Sequence, residues 1–170
     1  MNSSLDCNTP RGQIYIGSQL SCQDRIETAL KCEIIKTDTT SSSDIDALLV
    51  RNKTLIGLAE VKSREMGIKL GDGHSDNKLI YRGNEYDSYL ITYDKLEKLK
   101  QLCCAFGVPG FLFVSLLQDS RIIFWKICGS KGNYLVELKK EITRTQATCN
   151  GGIAHRENAY LSLNSMKILP

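Results

Sequence analysis

Two short runs of sequence decide the fold of this chain: residues 43–50, SDIDALLV, and residues 55–62, LIGLAEVK. Each run is apolar and of strand length, with its charged residues gathered at one end. The turn-forming residues 52–54, NKT, lie between them, so the two runs predict a β-hairpin with strands over 45–50 and 55–61. Residues two apart in a strand point to the same side, so Glu60 and Lys62 project together.

The length of the turn decides which carboxylate meets Glu60. A three-residue loop places Asp46 opposite Glu60 and Asp44 opposite Lys62, whereas a plain two-residue turn places Ile45 opposite Glu60. A carboxylate and an ammonium at the end of an apolar strand cost free energy unless they serve a function. Two carboxylates that meet there form a hard-oxygen site suited to Mg²⁺. The chemistry therefore predicts a three-residue or bulged turn.

The flanking sequence predicts further helices and strands around this hairpin. A helix over 21–31 and a strand over 32–36 precede it, and a polar, glycine-rich segment follows over 63–88. A helix over 94–106 leads through Gly107 and Pro109 to a continuous apolar strand over 111–117. Beyond it we expect an antiparallel pair over 121–128 and 134–138, then loop with one strand near 159–163.

This order indicates an α/β fold, bordering on α+β, in which helices flank a mixed central sheet. We expect a single domain over 1–170, because a chain of 170 residues suits one globular domain. Within it the core spans about 20–128, the insert about 63–88 and a C-terminal extension about 139–170.

Composition excludes several classes of protein. The chain is 42% hydrophobic and 24% charged, which rules out wholesale disorder and fibrous rods. No apolar run approaches the length of a membrane span, and residues 1–12 lack the apolar segment of a secretory signal. The net charge of +3 permits nucleic-acid binding without requiring it. The seven cysteines lack the spacing of a zinc site and indicate reduced thiols in the cytoplasm.

Asp46 and the later Glu60-Val61-Lys62, followed by Ser63-Arg64, resemble the PD-(D/E)XK nuclease superfamily, in particular its small phage-type members. Residues 89–95, YLITYDK, add to the likeness. No proline precedes the first acid, so Asp44 stays as the alternative to Asp46. A second Glu-x-Lys over 137–139 is discounted, because neither a helix nor another buried strand follows it.

The resemblance implies a restriction-endonuclease-like αβββαβ core and a metal-dependent endonuclease that hydrolyses phosphodiester bonds. The expected cofactor is Mg²⁺, with Mn²⁺ as a substitute, and the expected substrate is DNA, with RNA as the alternative. Asp46, Glu60 and the carbonyl of Val61 would hold the metal, which activates water and stabilises charge on the phosphate. Lys62 would orient the attacking water or neutralise the transition state.

Further residues are candidates on the same resemblance or on charge. Glu27 in the first predicted helix matches the helix glutamate that some members add to the metal site. Lys95 could contact a phosphate, and Arg64, Arg51 and Lys53 flank the hairpin as candidate nucleic-acid contacts. The tail carries a second basic group: Lys139, Lys140, Arg144 and Arg156.

Two other functions stay open at this point. The chain could be a catalytically silent nuclease-fold module of a phage that binds nucleic acid or protein. It could also be a host-directed interaction protein that uses the insert over 63–88. For the leading function we expect no membrane partner, action in the host cytoplasm if phage-encoded, and a homodimer as one arrangement suited to a two-stranded substrate.

Overall fold

The computed structural model describes residues 10–37, 45–72, 76–148 and 151–170. In these ranges the chain is an α+β protein with two α-helices and a mixed central sheet. In chain order the elements are α1 (Pro10–Leu30), β1 (Glu33–Lys36), β2 (Ala47–Arg51), β3 (Thr54–Arg64), β4 (Gly67–Lys69), β5 (Lys78–Tyr81), β6 (Asn84–Tyr86), β7 (Ser88–Thr92), α2 (Tyr93–Phe106), β8 (Gly110–Leu116), β9 (Arg121–Cys128), β10 (Leu138–Thr148), β11 (Gly151–Ser162) and β12 (Lys167–Ile168).

The central sheet has six strands in the order β1-β2-β3-β8-β9-β12. Strands β3 and β8 are parallel and every other pair in this sheet is antiparallel. The run predicted as a buried strand is β8, and its residues Leu112, Phe113 and Val114 are fully buried. Parallel neighbours covered on both faces give such continuous apolar runs.

The two helices pack on the sheet through different apolar clusters, which assigns each residue of β3 to a face. Cys22 and Ile26 of α1 pack in one cluster with Ala59 and Val61. Leu96 and Leu99 of α2 pack in the other cluster with Leu58. Because strand residues alternate between faces, Glu60 and Lys62 belong to the α2 side of the sheet.

The β2–β3 hairpin turns differently from the three-residue loop of the first prediction, and the bulged alternative is confirmed. Asn52 and Lys53 form a two-residue turn with φ angles of 50° and 60°, the backbone that tight hairpins favour. Val50 then pairs with Leu55 but Leu49 with Gly57, so Ile56 is an extra, unpaired residue. The bulge restores the register in which Ala47 pairs with Ala59, and thus brings Asp46 opposite Glu60.

Both predicted helices are present, one with different bounds. α1 begins at Pro10 instead of residue 21; its first half contains Gly12 and Gly17, and glycine disfavours a helix in a sequence-based prediction. Proline suits the first position of a helix, where its missing N–H is not needed. α2 confirms the predicted helix, and Gly107 ends it in the left-handed conformation with φ of 66°.

The C-terminal part is more regular than predicted. Instead of loop and one strand, β10 and β11 form a long hairpin, and β7 joins β11 to complete a second sheet. The predicted pairing of 121–128 with 134–138 was wrong, since β9 pairs with β8 and β12, and only the bridge from Cys128 to Tyr134 remains. Ala159 and Leu161 of β11 are fully buried against α2, so this part contributes to the core.

The insert contains a small sheet of its own. Strands β4, β5 and β6 pair in that order, and Leu79 of β5 is buried in the main core. The Asp119 carboxylate accepts a hydrogen bond from the Ile68 N–H, which ties β4 to the loop after β8. The described part of the predicted insert is therefore structured and anchored.

Candidate active site

Asp46 lies just before β2, where backbone hydrogen bonds hold it from both sides. Its N–H donates to the Ala59 carbonyl at 3.2 Å, and its carbonyl accepts from the Thr37 N–H at 3.2 Å. Its side-chain Oδ2 accepts from the Val61 N–H at 2.8 Å and from Lys62 Nζ at 2.9 Å. The carboxylate is thus fixed against β3 at the level of the Glu-x-Lys motif.

Glu60 is the most unusual group in the site because a carboxylate is almost never buried alone. It is 1% exposed, and within the described ranges its Oε2 has no hydrogen-bond partner. Its compensation is ionic: Lys62 Nζ lies 2.5 Å from Oε1, and Lys95 Nζ lies 3.9 Å from the same atom. Burial raises the pKa of Glu60 above its ordinary value, Lys62 acts in the opposite direction, and Asp46 adds to the rise.

Lys62 bridges the two carboxylates. Its Nζ contacts both Glu60 Oε1 and Asp46 Oδ2, so these two oxygens lie no further apart than the sum of the two contact distances. Burial alone would lower the pKa of Lys62, but the two neighbouring carboxylates outweigh it and the pKa is raised. The lysine is therefore held in its charged form between two anions.

The donor set at this point fits a divalent cation of the Mg²⁺ type. Glu60 offers a buried carboxylate oxygen, Oε2, without a hydrogen bond in the described ranges, and Asp46 stands beside it. Across the described residues, no cluster of three or more His, Cys, Asp and Glu side chains could hold a metal. Mg²⁺ keeps several waters and binds through one or two carboxylates, so a pair is sufficient. Oxygen ligands without sulfur or imidazole also favour a hard cation over zinc.

Glu27 does not join this group in the structure. Its Oε1 accepts a hydrogen bond from the Ile34 N–H at 2.6 Å, which ties the last turn of α1 to β1. Ile34 packs in the α1-side cluster, whereas Glu60 belongs to the α2 side of the sheet. The carboxylate has a structural partner there, and we leave it out of the site. Asp44, the alternative first acid, lies outside the described residues.

The candidate nucleic-acid contacts divide into two groups. Lys95 begins α2 and faces Glu60, and Arg64 ends β3 two residues after Lys62, where its Nη1 donates to the Ser63 carbonyl at 2.9 Å. Arg51 and Lys53 lie at the other end of β3, roughly 20 Å from Glu60 at the rise of a strand. They flank the hairpin at its turn, and their contact with nucleic acid stays a prediction.

Arg51 has a structural role. Its guanidinium donates to the carbonyls of Leu30 and Lys31, the second at 3.2 Å, at the C-terminal end of α1. Carbonyls at a helix end lack intrahelical partners, and a cation there also interacts favourably with the helix dipole.

Thr37, which sequence reasoning missed, and Lys140, named there only in the basic group of the tail, support the site from a distance. Thr37 holds the segment before β2 through its backbone bond to Asp46 and a side-chain bond to the Ile45 carbonyl. The Lys140 ammonium lies 3.8 Å from the centre of the Tyr93 ring and so ties β10 to the start of α2. No local pattern marks such contacts, because the partners are far apart in sequence.

The discounted second motif lies elsewhere. Lys139 pairs with Glu141 at 2.6 Å on the surface. Glu137 and Lys139 line a cavity of about 490 Å³ that also includes Asp87 and Tyr160 but none of the site residues described above. The cavity is therefore separate from the Asp46–Glu60 site.

In the parts of the chain that the structure describes, no helix combines the length and apolar character needed to cross a membrane. No curated protein and no solved structure matches the chain. One family model does, described as "Phage putative PDDEXK endonuclease", over residues 17–149. That range includes Asp46, Glu60, Lys62 and the whole of α2, and it is well over half of the sequence. The chain belongs to this phage PDDEXK endonuclease family.

Proposed function

We propose that this chain is a metal-dependent endonuclease that hydrolyses phosphodiester bonds in DNA. Membership of the family supports nuclease function in general. The observation that carries the finer proposal is the buried Glu60 carboxylate, which is 1% exposed, lacks a hydrogen bond at Oε2 within the described ranges and stands beside Asp46 and Lys62. A group of this kind is costly to the fold unless it binds a cation.

In this proposal Asp46, Glu60 and the Val61 carbonyl hold Mg²⁺, or Mn²⁺ in its place. The bound metal would supply Lewis acidity toward the scissile phosphate and an activated water. Asp46 can act in this way because its carboxylate is already fixed by the Val61 N–H and requires little reordering. Glu60 lies in a buried setting, where electrostatic interactions are stronger than in water.

Lys62 and Lys95 handle the charge of the substrate. Lys62 is charged, and its ammonium is held at the two carboxylates, where it can orient a water or stabilise charge that develops on the phosphate. Lys95 is 35% exposed at the start of α2, so its ammonium can reach a phosphate that approaches Glu60 from solvent. We also propose action in a reducing cytoplasm, which the five described cysteines support, since all are free thiols.

The decisive experiment compares wild-type protein with Glu60→Gln and Asp46→Asn in cleavage of supercoiled and linear DNA with Mg²⁺, Mn²⁺ or EDTA. Both substitutions keep side-chain size and remove one negative charge each. We expect cleavage by the wild type only with metal, and a loss of at least about a hundredfold in each variant. Glu85→Gln, an exposed glutamate paired with Lys69, is the matched control and should cleave normally.

Metal binding measured by calorimetry separates the enzyme from a silent module. Wild type that binds Mn²⁺ through Asp46 and Glu60 but leaves duplex, single-stranded and branched DNA uncut would favour a binding module. Wild type that neither binds Mn²⁺ nor cleaves would contradict the proposed site itself. Parallel assays on RNA of the same sequence test the choice of DNA.

A further inference from the structure

Strands β10 and β11 extend well beyond the strand that supports them. β7 pairs with β11 only from Asn158 to Ser162, whereas β10 and β11 pair with each other out to Thr148 and Gly151. In the described structure, residues 142–148 and 151–157 therefore have only each other as sheet neighbours. We call these residues the arm. Seven residues at strand rise make it about 23 Å long.

The arm begins next to the proposed active site. Asn158 is the first residue of β11 beyond the arm. It pairs with Thr92, the residue that precedes α2. Lys95, whose ammonium lies 3.9 Å from Glu60, is three residues further along. The buried Asn158 side chain, 1% exposed, donates to the Thr143 hydroxyl at 2.7 Å and fixes the base of the arm.

One face of the arm can be identified from its neighbours. Lys140 lies against Tyr93 at the start of α2, and Arg144 is four residues later on the same strand. Residues that differ by an even number share a face, and Arg144 pairs directly with His155. Arg144 and His155 are both exposed. They therefore lie on the same face of the ribbon that packs on α2, and they extend this face beyond the N-terminal start of the helix.

The chemistry of the arm is that of a surface that meets an anion. The arm contains Arg144, Arg156 and His155, and its one acid, Glu157, lies at the end next to Asn158. The same stretch has a hydroxyl residue on β10, Thr143. Such side chains donate to phosphate oxygens and to base edges. A two-stranded ribbon that was only a surface loop would need neither this length nor the absence of acids from residues 142–156.

We infer that the arm binds the duplex of the substrate beside the cleavage site, with the ribbon in the major groove of DNA. The inference rests on the proposed function for the position of the cleavage site and goes beyond it in naming the surface and the form of the substrate. The major groove of B-form DNA, about 12 Å wide, admits a two-stranded ribbon. The major groove of an RNA duplex is too narrow and deep for side chains to read. Double-stranded DNA is therefore the partner that fits the arm.

The test measures binding without cleavage. Full-length protein in EDTA is titrated against fluorescently labelled duplex DNA, duplex RNA and single-stranded DNA of one sequence. Arg144→Glu is compared with Lys131→Glu, the reversal of an exposed lysine in the loop after β9. We expect Arg144→Glu to weaken binding of duplex DNA at least about tenfold and Lys131→Glu less than about twofold. His155→Glu, on the facing strand, repeats the test, and circular dichroism checks the fold.

Salt dependence gives a second readout. Each phosphate contact contributes about 0.9 to the slope of log affinity against log salt, so Arg144→Gln should reduce that slope by about one. Equal loss of affinity in the Arg144 and Lys131 reversals would overturn the inference. So would binding of duplex RNA as tight as that of duplex DNA, or an arm variant that changes only the oligomeric state.

Failure of the arm and failure of the nuclease proposal give different results. If the wild type cleaves DNA and Arg144→Glu binds the duplex normally, the arm inference is wrong and the nuclease proposal stands. If Arg144→Glu loses duplex binding while the wild type cuts nothing with any metal, the arm inference stands and the nuclease proposal is wrong.

Discussion

The Nζ atom of Lys62 lies 2.5 Å from Oε1 of Glu60, and the same ammonium reaches Asp46 at 2.9 Å. In the metal-free protein the lysine thus provides the positive charge that the two carboxylates require. A divalent cation that uses the same oxygens must displace the ammonium from at least one of them. Lysine and metal are therefore competitors for part of this site as well as partners in it.

Replacing Lys62 with methionine should separate its competition with the metal from its contribution to cleavage. We expect Lys62→Met to bind Mn²⁺ more tightly, by about tenfold, because the competing ammonium is gone. The same variant should lose about a hundredfold or more in cleavage, because the Lys62 ammonium that stabilises the transition state is gone. Calorimetry with Mn²⁺ alone and a plasmid cleavage assay measure the two effects.

Stability provides a check on the same variant. Without metal, Lys62→Met leaves two carboxylates together without their cation, which costs about 3 kcal/mol. Mn²⁺ should restore most of this loss. The control is Lys98→Met, in which an exposed lysine paired with Asp94 is removed from the neighbouring helix. Unchanged or weaker Mn²⁺ binding by Lys62→Met would contradict direct competition.

Lys95 should affect the substrate more than the metal. Its ammonium is 3.9 Å from Glu60, further than that of Lys62, and its side chain is 35% exposed. We expect Lys95→Ala to raise KM for DNA by about tenfold and to change Mn²⁺ affinity by less than about threefold. Lys98→Ala, one turn further along α2, should leave both quantities unchanged. An equal loss of metal affinity and substrate affinity would place Lys95 in the metal site instead.

Arg51 should matter for stability and not for nucleic acid. Because its guanidinium donates to two carbonyls at the end of α1, Arg51→Ala should lower the free energy of unfolding by about 1 kcal/mol. For a chain of this size the melting temperature then falls by about 2–4 °C. Lys53→Asn, which suits the left-handed turn, should leave both stability and DNA affinity unchanged. A loss of DNA affinity in Arg51→Ala would restore its earlier interpretation.

Glu97 should give the protein part of its acid sensitivity. Hydrogen bonds from Tyr93, Tyr134 and Lys100 lower the pKa of Glu97 to about 2. Folding therefore favours the ionised form, and this stabilisation is present above the ordinary pKa of 4.5 and is lost as the pH falls toward about 2.

Denaturant unfolding between pH 7 and pH 2 tests this dependence with Glu97→Gln. At pH 7 the variant should be less stable by about 2 kcal/mol, and the difference should shrink as the pH falls through that window. Glu85→Gln, which removes an exposed glutamate, serves as the control. A difference between wild type and Glu97→Gln that stays constant down to pH 2 would contradict the proposed cause.

The sequence was most informative where local pattern and burial agree. The apolar run of β8, the helix that ends at Gly107 and the facing of Asp46 and Glu60 all follow from periodicity and register. Each depends on residues close together in the chain or on a single hairpin.

Features that depend on distant residues could not be predicted in this way. The first half of α1 contains two glycines, and its contact with the sheet, as in the Ser18 to Ser63 hydrogen bond of 3.1 Å, joins residues 45 apart in the chain. Strand β10 alternates polar residues without an apolar face, so its partner β11 had to be known first. The sequence position of Glu27 is compatible with two carboxylate roles, and its hydrogen bond from the Ile34 N–H, a contact between α1 and β1, could not be predicted from local pattern.

The bulge at Ile56 has a consequence for how such sites vary between proteins. Ile56 has no partner across the hairpin, so its deletion should leave Asp46 facing Glu60 while the count of residues between them falls by one. Separation along the chain and separation in space are therefore independent at this site. A hairpin of this kind can gain or lose a residue during divergence and keep its chemistry. A sequence search that requires a fixed interval between the first acid and Glu-x-Lys would therefore miss related proteins whose hairpin has gained or lost a residue.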